Sequence, residues 1–544
     1  MEVILGLLVV GGVIWLIYRY QEKQGELARK AAREKEETER QRIADCQEVV
    51  RYFANYHGYI ARSVISREEL EQAIESGASP ARLWDLIAER IGQVRGLQLG
   101  YHATGGGRFP VILPNEYRDK HIYVIGKSGY GKTNFLRYQI FQDLELGNGI
   151  GVLAPEHEML NDELLPFIPD HRIGDVIYFN PADIECPVVL NPLYIGPDDD
   201  IDLHVDEAFT VLQRVVGEGG PRMDEILRHG LYALMERPGS TLLDIEPLLD
   251  RNDDAFRKEI IHTTADEQVR RFFQQVYPQM PKDAHLPILN RIGRIVRSKY
   301  VRNCLCPPTN TTFSPEQISE RLLNFRNAMD EGKVLLFNLS DGLLGEAASQ
   351  LIGQFIVSKF QTATMSRADE SKTERKPFYL YLDEFQNFCG VASKSYEKLL
   401  SRARKYRLGL ILAHQQTGQL PLELMREIFG NVSTMVSFQV SQSDAAKLSK
   451  EFISQYDFDI ESIPSEELLR LNVGEAYCKI ARNSFPMCIP HLDESPDRER
   501  VRAVIQHSRA AYGIPRLKRT DKPAIHPGQK PPDPLADLDP DEVF

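Results

Sequence analysis

The stretch that decides the fold is His121–Phe135, with the sequence HIYVIGKSGYGKTNF. It matches the pattern G-x-x-x-x-G-K-[ST], whose fixed positions are occupied by Gly126, Gly131, Lys132 and Thr133. In such a loop the backbone N–H groups wrap phosphates, the lysine reaches the β and γ oxygens, and the hydroxyl ligates magnesium. The apolar run before the loop predicts a buried strand, and the apolar residues at helical spacing after it predict a helix. Because strand, glycine-rich turn and helix follow in that order, we predict a nucleotide-binding P-loop.

A pair of acidic residues, Asp383 and Glu384, follows the apolar run Phe378–Leu382. At a strand end, Asp383 can support the magnesium shell and Glu384 can point at an attacking water as a general base. Gln415 ends another apolar run and can sense the γ-phosphate or orient the water. The alternative is an exposed acidic strand end, which is common in any sheet, and a glutamine at a strand end is unremarkable alone. We favour the catalytic interpretation because a P-loop lies in the same chain.

Apolar runs of strand length recur along the chain, and helical patterns separate them. These runs comprise residues 149–154, 175–180, 333–339, 378–383, 408–413 and 434–440. Strands that alternate with helices imply a parallel sheet covered by helices. We therefore predict an α/β fold with a central, mostly parallel sheet.

The composition divides the chain into eight segments. We expect a transmembrane anchor at 1–20, a charged helical stalk at 21–57, a small unit at 58–115, the first part of the nucleotide-binding core at 116–237, a mainly helical insertion at 238–330, the second part of the core at 331–490, a helix at 491–512 and a disordered, Pro-rich acidic tail at 513–544. The stalk is dense in charged residues, and the tail cannot bury a core. In the small unit, Ser66 and Glu69 have the spacing of a helix capping box.

The N-terminal run Val3–Tyr18 has no charge and little polarity. As a helix it spans roughly 24 Å, which is short for a bilayer but usable with local thinning. Glu2 before the run and the sequence YRYQ at its end argue against a cleaved signal peptide. Because basic residues follow from Arg19 onward, we expect residues 3–18 to form a single-pass membrane anchor, with the bulk of the chain in the cytoplasm.

The 544-residue chain has a formal net charge of −13 at pH 7 and a pI near 5.6. This balance argues against a protein that coats nucleic acid with its whole surface, because phosphates are neutralised by Lys and Arg. Any contact with nucleic acid must then be local. The seven cysteines show no paired C-x-x-C spacing, and they fit reduced thiols in a cytosolic body.

Five stretches within residues 115–490 form a larger set: GKSGYGKT, YLYLDEFQNF, ARKYRLGLILAHQ, FNLSDGLLGEAASQLIGQFIVSKF and GNVSTMVSF. This set resembles the HerA/FtsK superfamily of DNA-pumping ATPases and, within it, the TraG/TraD-type coupling proteins of type IV secretion. The P-loop occurs in many families, whereas the DEFQNF run and the RK-x-x-L segment before a Gln-terminated strand are more specific. The resemblance implies a RecA-like P-loop NTPase core with a helical insertion, a homo-hexameric ring and a location in the bacterial inner membrane.

The resemblance also implies roles for the residues that match these motifs. It implies that ATP and Mg²⁺ bind at the loop formed by Gly126, Lys127, Ser128, Gly129, Tyr130, Gly131, Lys132 and Thr133. Thr133 and Asp383 would hold the metal. Glu384 would act as the catalytic base, and Gln415 would be the sensor.

An arginine that reaches into the neighbouring subunit's site is a further feature of the family, and Arg404 falls at its position. The alternative is an arginine on the wet face of a helix, and the competing residues are Arg402, Lys405 and Arg407. Two positions depart from the family pattern. The family often carries an acidic residue after the second strand, where this chain reads LAPEH at 153–157, and the role of Glu156 there stays open. Gln439 stands where HerA-like relatives often carry arginine.

Basic residues recur at near-helical spacing within the predicted insertion: Arg291, Arg294, Arg297 or Lys299, and Arg302. They predict one basic stripe that could line the channel of a ring, with a solvated helix face or a subunit contact as the alternative. Since only the lumen needs to be positive, an acidic outer surface does not exclude DNA.

Taken with the resemblance, these features predict a membrane-anchored, ring-forming ATPase that translocates DNA. We expect a coupling protein that feeds DNA, single- or double-stranded, to a type IV secretion or conjugation channel, with channel or DNA-processing proteins as partners. One alternative is a HerA/FtsK-like translocase in chromosome handling or defence. Another is a membrane-tethered nucleotide-dependent switch or scaffold that recruits protein cargo, although a pure switch has little need of a base such as Glu384.

Overall fold

The computed structural model describes residues 2–104, 107–196, 199–216, 220–389, 393–456, 459–492 and 495–517. In these residues the strands form an eleven-stranded sheet, and β10 pairs with β11 in a second, small sheet. The strands are β1 (Gly96–Thr104), β2 (Gly107–Pro114), β3 (Ile122–Ile125), β4 (Gly149–Ala154), β5 (Val176–Phe179), β6 (Val334–Asn338), β7 (Phe378–Leu382), β8 (Leu408–His414), β9 (Thr434–Ser437), β10 (Ile453–Tyr456), β11 (Asp459–Ser462), β12 (Glu475–Ile480) and β13 (Asn483–Cys488).

Seven neighbouring strands run parallel, in the order β9-β3-β8-β7-β4-β6-β5. Every residue of these strands is buried, which is why they stand out as unbroken apolar runs in the sequence. The prediction of an α/β fold with a central, mostly parallel sheet is confirmed. Beyond β9 the sheet continues with antiparallel strands in the order β12, β13, β1, β2, an extension that the sequence did not predict.

The helices are α1 (Glu2–Val64), α2 (Arg67–Glu75), α3 (Pro80–Ile91), α4 (Asn115–Arg118), α5 (Lys132–Glu145), α6 (His157–Asn161), α7 (Ile201–Val216), α8 (Pro221–Met235), α9 (Ile245–Leu249), α10 (Ala255–Thr263), α11 (Glu267–Arg271), α12 (Leu286–Arg297), α13 (Lys299–Leu305), α14 (Pro315–Arg321), α15 (Phe325–Glu331), α16 (Asp341–Leu344), α17 (Glu346–Ser366), α18 (Gln386–Cys389), α19 (Ser393–Arg402), α20 (Leu422–Asn431), α21 (Gln442–Leu448), α22 (Ser465–Leu469) and α23 (Arg498–Tyr512). A π-helical turn, Phe272–Val276, continues α11.

Alternate residues of the central strands belong to different hydrophobic cores. On β3, Tyr123 and Ile125 pack in a core that includes residues of α17 and α19. Ile122 and Val124 pack in a second core, with residues of α5 and α23. Because side chains alternate between the two faces of a strand, the two cores lie on opposite faces of the sheet, and helices cover both.

Between β5 and β6 the described chain contains only helical elements and connections, α7 to α15. The sequence predicted a mainly helical insertion at 238–330. The helical series begins earlier, at Ile201, and ends at Glu331. The boundaries that divide the chain into domains stay a prediction.

The first helix, α1, joins the predicted anchor and the predicted stalk into one element of 63 residues. No helix in the described part of the chain is long and apolar enough to cross a membrane. Within the apolar run the structure describes the side chains from Val10 to Tyr18, and the charged residues from Arg19 onward follow directly; the side chains of residues 1–9 lie outside the described part. The prediction that residues 3–18 anchor the protein in the bacterial inner membrane, with the bulk of the chain in the cytoplasm, is contradicted by this finding.

The small unit after α1 contains α2, α3 and the β1–β2 hairpin. The predicted capping box is present at α2: the Ser66 hydroxyl accepts from Glu69 N–H, and the Glu69 carboxylate accepts from Ser66 N–H. Strand β1 pairs with β13, so this unit is joined to the main sheet. A third core, between α1, α2, α3 and β2, contains Cys46, Trp84 and Phe109.

The C-terminal segment differs from the prediction at its start. We expected a disordered tail from residue 513, yet Gly513 pairs with Val188 and Ile514 is fully buried. Ile514 packs with Val189 and Leu322, which explains its burial. The remainder of the predicted tail, residues 518–544, lies outside the described residues.

Candidate functional site

The predicted P-loop connects β3 to α5 at the carboxyl end of the parallel strands. Two of its glycines have positive φ, +80° at Gly129 and +112° at Gly131. Gly126 is required for a different reason, because a Cβ at this position would lie 2.5 Å from Cβ of Phe438. The loop therefore takes a conformation that only its glycines permit, and it ends at the N-terminus of α5, where backbone N–H groups favour an anion.

Lys132, the first residue of α5, is buried and points back into the loop. Its ammonium donates to the carbonyl oxygens of Gly126, at 2.8 Å, and Lys127, at 3.2 Å. The same Nζ lies 3.9 Å from Oε1 of Glu384. Burial lowers the pKa of Lys132, while the carboxylates of Glu384 and Asp383 oppose this shift. The cation is thus placed between the loop and the acidic pair.

Asp383 and Glu384 follow β7, as predicted, and the two carboxylates have different surroundings. Asp383 is 2% exposed, and its burial, together with the Glu384 carboxylate, raises its pKa to about 7. Glu384 has a φ of +44°, which is rare for a residue with a side chain. Such backbone strain is typical of functional sites.

Two glutamine amides hold the Glu384 carboxylate. Gln415 directly follows β8, and its Nε2 donates to Oε1 at 2.9 Å. Gln386 donates to Oε2 at 2.7 Å. The structure therefore brings Gln415 to the acidic pair. Gln386 was not predicted, although its position two residues after Glu384 was a signal that could have found it.

Lys132, Asp383 and Glu384 line a cleft of about 590 Å³, a size typical of ligand sites. Its lining comprises Ser128, Gly129, Gly131, Lys132, Thr133, Asn134, Arg137, Glu156, Glu163, Asp383, Glu384, Val473, Gly474, Ile489 and His491. Thr133, Asp383 and Glu384 offer oxygen ligands, which Mg²⁺ prefers, and Lys132 and the loop amides suit phosphates. The residues present fit a nucleotide with Mg²⁺.

Two lining residues extend the site beyond the predicted set. Glu156, left open by the sequence, lies after β4, and burial together with the Glu384 carboxylate raises its pKa. Arg137 lies one turn after Thr133 on α5. Its Nε donates to the carbonyl oxygen of Glu163 at 3.0 Å, which joins α5 to the segment after α6. The spacing of Arg137 from the P-loop was the signal that could have identified it.

Gln439 fastens the P-loop from outside. The backbone N–H of Lys127 donates to the carbonyl oxygen of Gln439 at 2.8 Å, and Lys127 Nζ donates to Gln439 Oε1 at 3.1 Å. The Gln439 amide in turn donates to the carbonyl oxygens of Leu469, at 2.9 Å, and Leu471, at 3.3 Å. The residue that departs from the family pattern thus contacts the loop within its own chain.

Arg404 lies away from the cleft of its own chain. It is an exposed residue of the 3₁₀ turn Ala403–Tyr406, which precedes β8, whereas the cleft lies at the far end of that strand. Seven strand residues span roughly 23 Å. Arg402 and Lys405 are also exposed, and Arg407 is half-buried with a φ of +58°. The structure does not bring Arg404 to the other predicted residues.

The basic stripe of the insertion is on the exposed side of α12 and α13. Arg294, Arg297, Lys299 and Arg302 are exposed, and Arg291 is half-buried. The opposite side of α12 is apolar and buried through Ile288, Ile292 and Ile295.

Comparisons with known proteins agree with these features. Residues 377–467 match the family model described as the TraM recognition site of TraD and TraG. No curated protein matches the chain in sequence. Among solved structures, the bacterial conjugative coupling protein TrwBdeltaN70 in its unbound monoclinic form superposes with a TM-score of 0.50 and 16% identity, over 75% of this chain and 92% of that one. The plasmid coupling protein TrwB in complex with ADP and Mg²⁺ gives 0.51 and 17%, over 76% and 94%.

At this level of identity the likeness to TrwB shows a shared fold. The matched family segment contains Asp383, Glu384, Arg404 and Gln415, and it ends before β12 and β13. The predicted resemblance is confirmed: this chain is similar to the TraG/TraD-type conjugative coupling proteins of the HerA/FtsK superfamily.

Proposed function

We propose that this protein hydrolyses ATP to move DNA, as a coupling protein that delivers DNA to a type IV secretion or conjugation channel. One observation carries the proposal: Lys132, Asp383, Glu384 and Gln415 come from three separate strand ends and meet at the P-loop. The likeness to TrwB, which has been solved with ADP and Mg²⁺, supports ATP and Mg²⁺ as the ligands of this cleft.

In this proposal each side chain has a distinct task. Lys132 leaves its carbonyl partners to bind the β and γ oxygens, and Thr133 and Asp383 hold the metal. Bound Mg²⁺ neutralises charge that develops on the phosphate oxygens. Glu384 accepts a proton from the attacking water, and Gln415 fixes its carboxylate in position. Asp383 must lose its proton to ligate a cation, which its pKa of about 7 permits at neutral pH.

A ring supplies the part of the site that a single chain lacks. Arg404 is exposed and a full strand length away from its own cleft. We assign it to the cleft of a neighbouring subunit in a homo-hexamer, where its charge stabilises the transition state in trans. The competing residues are Arg402 and Lys405, which are exposed beside it, and the half-buried Arg407.

DNA contacts are assigned to the exposed basic stripe of α12 and α13. Its side chains are free of ion pairs within the described residues, so they can neutralise phosphates. With a net charge of −13, the protein must concentrate such contacts locally, as a ring lumen does. The match to the model described as the TraM recognition site of TraD and TraG supports a TraM-like protein as a further partner.

The test is the steady-state ATPase rate of the full chain with and without single-stranded and double-stranded DNA, beside Lys132→Ala, Glu384→Gln and Arg404→Ala. We expect DNA to stimulate the rate and each substitution to abolish it. Mixing Arg404→Ala with Glu384→Gln protein restores activity if the arginine acts in trans, because some interfaces then combine an intact base with an intact arginine. Arg402→Ala and Lys405→Ala, measured in the same way, show whether a competing residue carries this role instead of Arg404.

An ATPase rate that depends on Lys132 but is the same with and without DNA, at several salt concentrations, would overturn the proposal of a DNA motor. It would leave the nucleotide-dependent switch or scaffold as the better description. DNA stimulation without any effect of secretion or conjugation proteins would instead favour the translocase of chromosome handling or defence.

A further inference from the structure

A second cleft lies at the same edge of the sheet as the P-loop cleft. It has a volume of about 700 Å³ and is enclosed by α23, α6 and the chain that follows β5. No residue lines both clefts. In open α/β sheets, ligands bind outside the carboxyl ends of the strands, which is where this cleft lies.

The floor of this second cleft is polar and fixed by hydrogen bonds. Asn338, the buried last residue of β6, donates to Nδ1 of His157 at 2.8 Å and to the hydroxyl of Tyr178 at 2.9 Å. The Tyr178 hydroxyl donates to Oδ1 of Asn161 at 2.8 Å. Side chains that are held in this way are ready for a ligand without reorganisation.

Three arginines and two aspartates line the second cleft, so the formal charge of its lining is positive. Arg498 and Arg502 lie one turn apart on α23 and form no ion pair within the described part of the chain. By contrast, Arg500 binds Asp170 at 3.0 Å, and Arg509, which also lines the cleft, binds Asp183 at 2.7 Å. Free guanidinium groups in a concave site suit phosphate oxygens, which they bind through paired N–H groups.

The other lining residues of the second cleft indicate which chemical groups, besides phosphate, its ligand contains. Pro166, Val501 and Ile505 provide apolar surface, and Asp162 adds a carboxylate that can accept from hydroxyl or amino groups. A phosphate, a flat apolar body and several donors are the parts of a nucleotide. The volume is also that of a small-molecule site.

We propose that the second cleft binds a nucleotide, either free or as one unit of a nucleic-acid strand, with its phosphate on Arg498 and Arg502. This site lies outside the P-loop and does not require hydrolysis. It adjoins the first cleft, because Glu156 and Glu163 face the P-loop cleft while His157, Asn161 and Asp162 face the second. A ligand that displaces α6 therefore acts on both clefts, and the coupling is reciprocal.

The experiment measures binding by calorimetry on the full chain carrying Lys132→Ala, which silences the P-loop. The probes are ADP and a short oligothymidylate. We expect one of them to bind, and we expect Arg498→Glu with Arg502→Glu to weaken it about tenfold or more. Arg500→Glu, between them on the same helix but already paired, should leave the affinity unchanged. The probe whose binding depends on Arg498 and Arg502 identifies the source, a free nucleotide or a strand.

Binding of neither probe, or binding that ignores both arginines, overturns the proposal. If charge reversal lowers the melting temperature of the protein, the pair Arg498→Gln and Arg502→Gln decides in its place. Because the readout is binding and not turnover, a failure here is distinguishable from a failure of the ATPase motor.

Discussion

The amide of Gln415 donates a 2.9 Å hydrogen bond to the carboxylate of Glu384. Gln415 follows β8 and Glu384 follows the neighbouring strand β7, so the bond joins two strand ends across the sheet. Any shift of β8 relative to β7 moves the carboxylate that we propose as the base. The relationship therefore ties the geometry of the sheet to the chemistry of the cleft.

Replacing Glu384 by glutamine tests the proposed base. We expect the turnover number to fall roughly 100-fold to 10,000-fold, because an amide cannot accept the proton of water. Affinity for ATP should stay equal or increase, since the negative charge 3.9 Å from Lys132 is gone. Single-turnover hydrolysis and equilibrium nucleotide binding measure the two effects separately. Loss of binding instead of turnover would assign Glu384 to the metal site.

Gln415→Ala tests whether the amide positions the carboxylate. A hydrogen bond to a charged group contributes about 1.5–3 kcal/mol, so we expect the turnover number to fall about tenfold or more while KM for ATP changes little. Gln386→Ala should act in the same direction, because Gln386 holds the other carboxylate oxygen. Gln416→Ala, next to Gln415 but exposed, is the control. An effect on KM alone would contradict a positioning role.

Gln439→Ala tests the fastening of the P-loop. It removes the side-chain oxygen that accepts from the Lys127 ammonium. It also leaves the carbonyl oxygens of Leu469 and Leu471 without the amide donor of Gln439. Such a loss costs about 1–3 kcal/mol, and we expect it to appear mainly as weaker ATP binding. The control is Gln442→Ala, an exposed residue on α21. Unchanged nucleotide affinity would show that the loop keeps its shape without this contact.

Gly126→Ala tests the close approach of the loop to Phe438. The added Cβ would lie 2.5 Å from Cβ of Phe438, so the loop or the residue after β9 must move. We expect a loss of stability of about 1–3 kcal/mol and weaker nucleotide binding. At Gly418 an added Cβ meets nothing within 4 Å, and Gly418→Ala should be neutral. Thermal unfolding with and without ATP measures both variants.

We expect the buried side chain of His121 to make the folded protein less stable at acid pH. It is fully buried; its Nδ1 accepts from Leu410 N–H at 3.1 Å, and its Nε2 lies 3.1 Å from the carbonyl oxygen of Leu400. Burial lowers its pKa to about 4. Below the unfolded value of about 6.5, only the unfolded chain binds this proton, so stability falls as the pH falls toward 4.

The expected loss from His121 alone is about 2 kcal/mol at pH 5. His121→Gln keeps a donor and an acceptor but does not titrate, so its stability should fall less steeply between pH 7 and pH 5. Urea unfolding at several pH values provides the measurement. Parallel curves for the two proteins would show that His121 does not carry the acid sensitivity.

The sequence predicted the parallel core because each of its strands is buried on both faces and stands out as an apolar run. It predicted Asp383, Glu384 and Gln415 for the same reason, since each directly follows such a run. The contacts of Arg137 with Glu163 and of Gln439 with Lys127 escaped prediction because they join segments that are separate in the sequence. Lys127 and Gln439, for example, are 312 positions apart. Gln386 was missed although it lies only two residues after Glu384.

The antiparallel extension of the sheet also escaped prediction, because it depends on pairing between segments that are distant in the sequence. Tyr101 of β1 pairs with Cys488 of β13 although most of the sequence lies between them. No local sequence pattern predicts such a pairing. The membrane anchor was a different kind of error. An apolar run was interpreted alone, whereas the structure continues it as part of one long helix.

From Val10 to Gln41 every side chain of α1 is exposed, and the first buried side chain after Val10 is that of Cys46. This free part is about 48 Å long. Its base packs against α3 and β13, and β13 belongs to the same continuous sheet as the strand before the P-loop. A tilt of about 10° at the base of the helix therefore moves the Val10 end of its exposed part by about 8 Å.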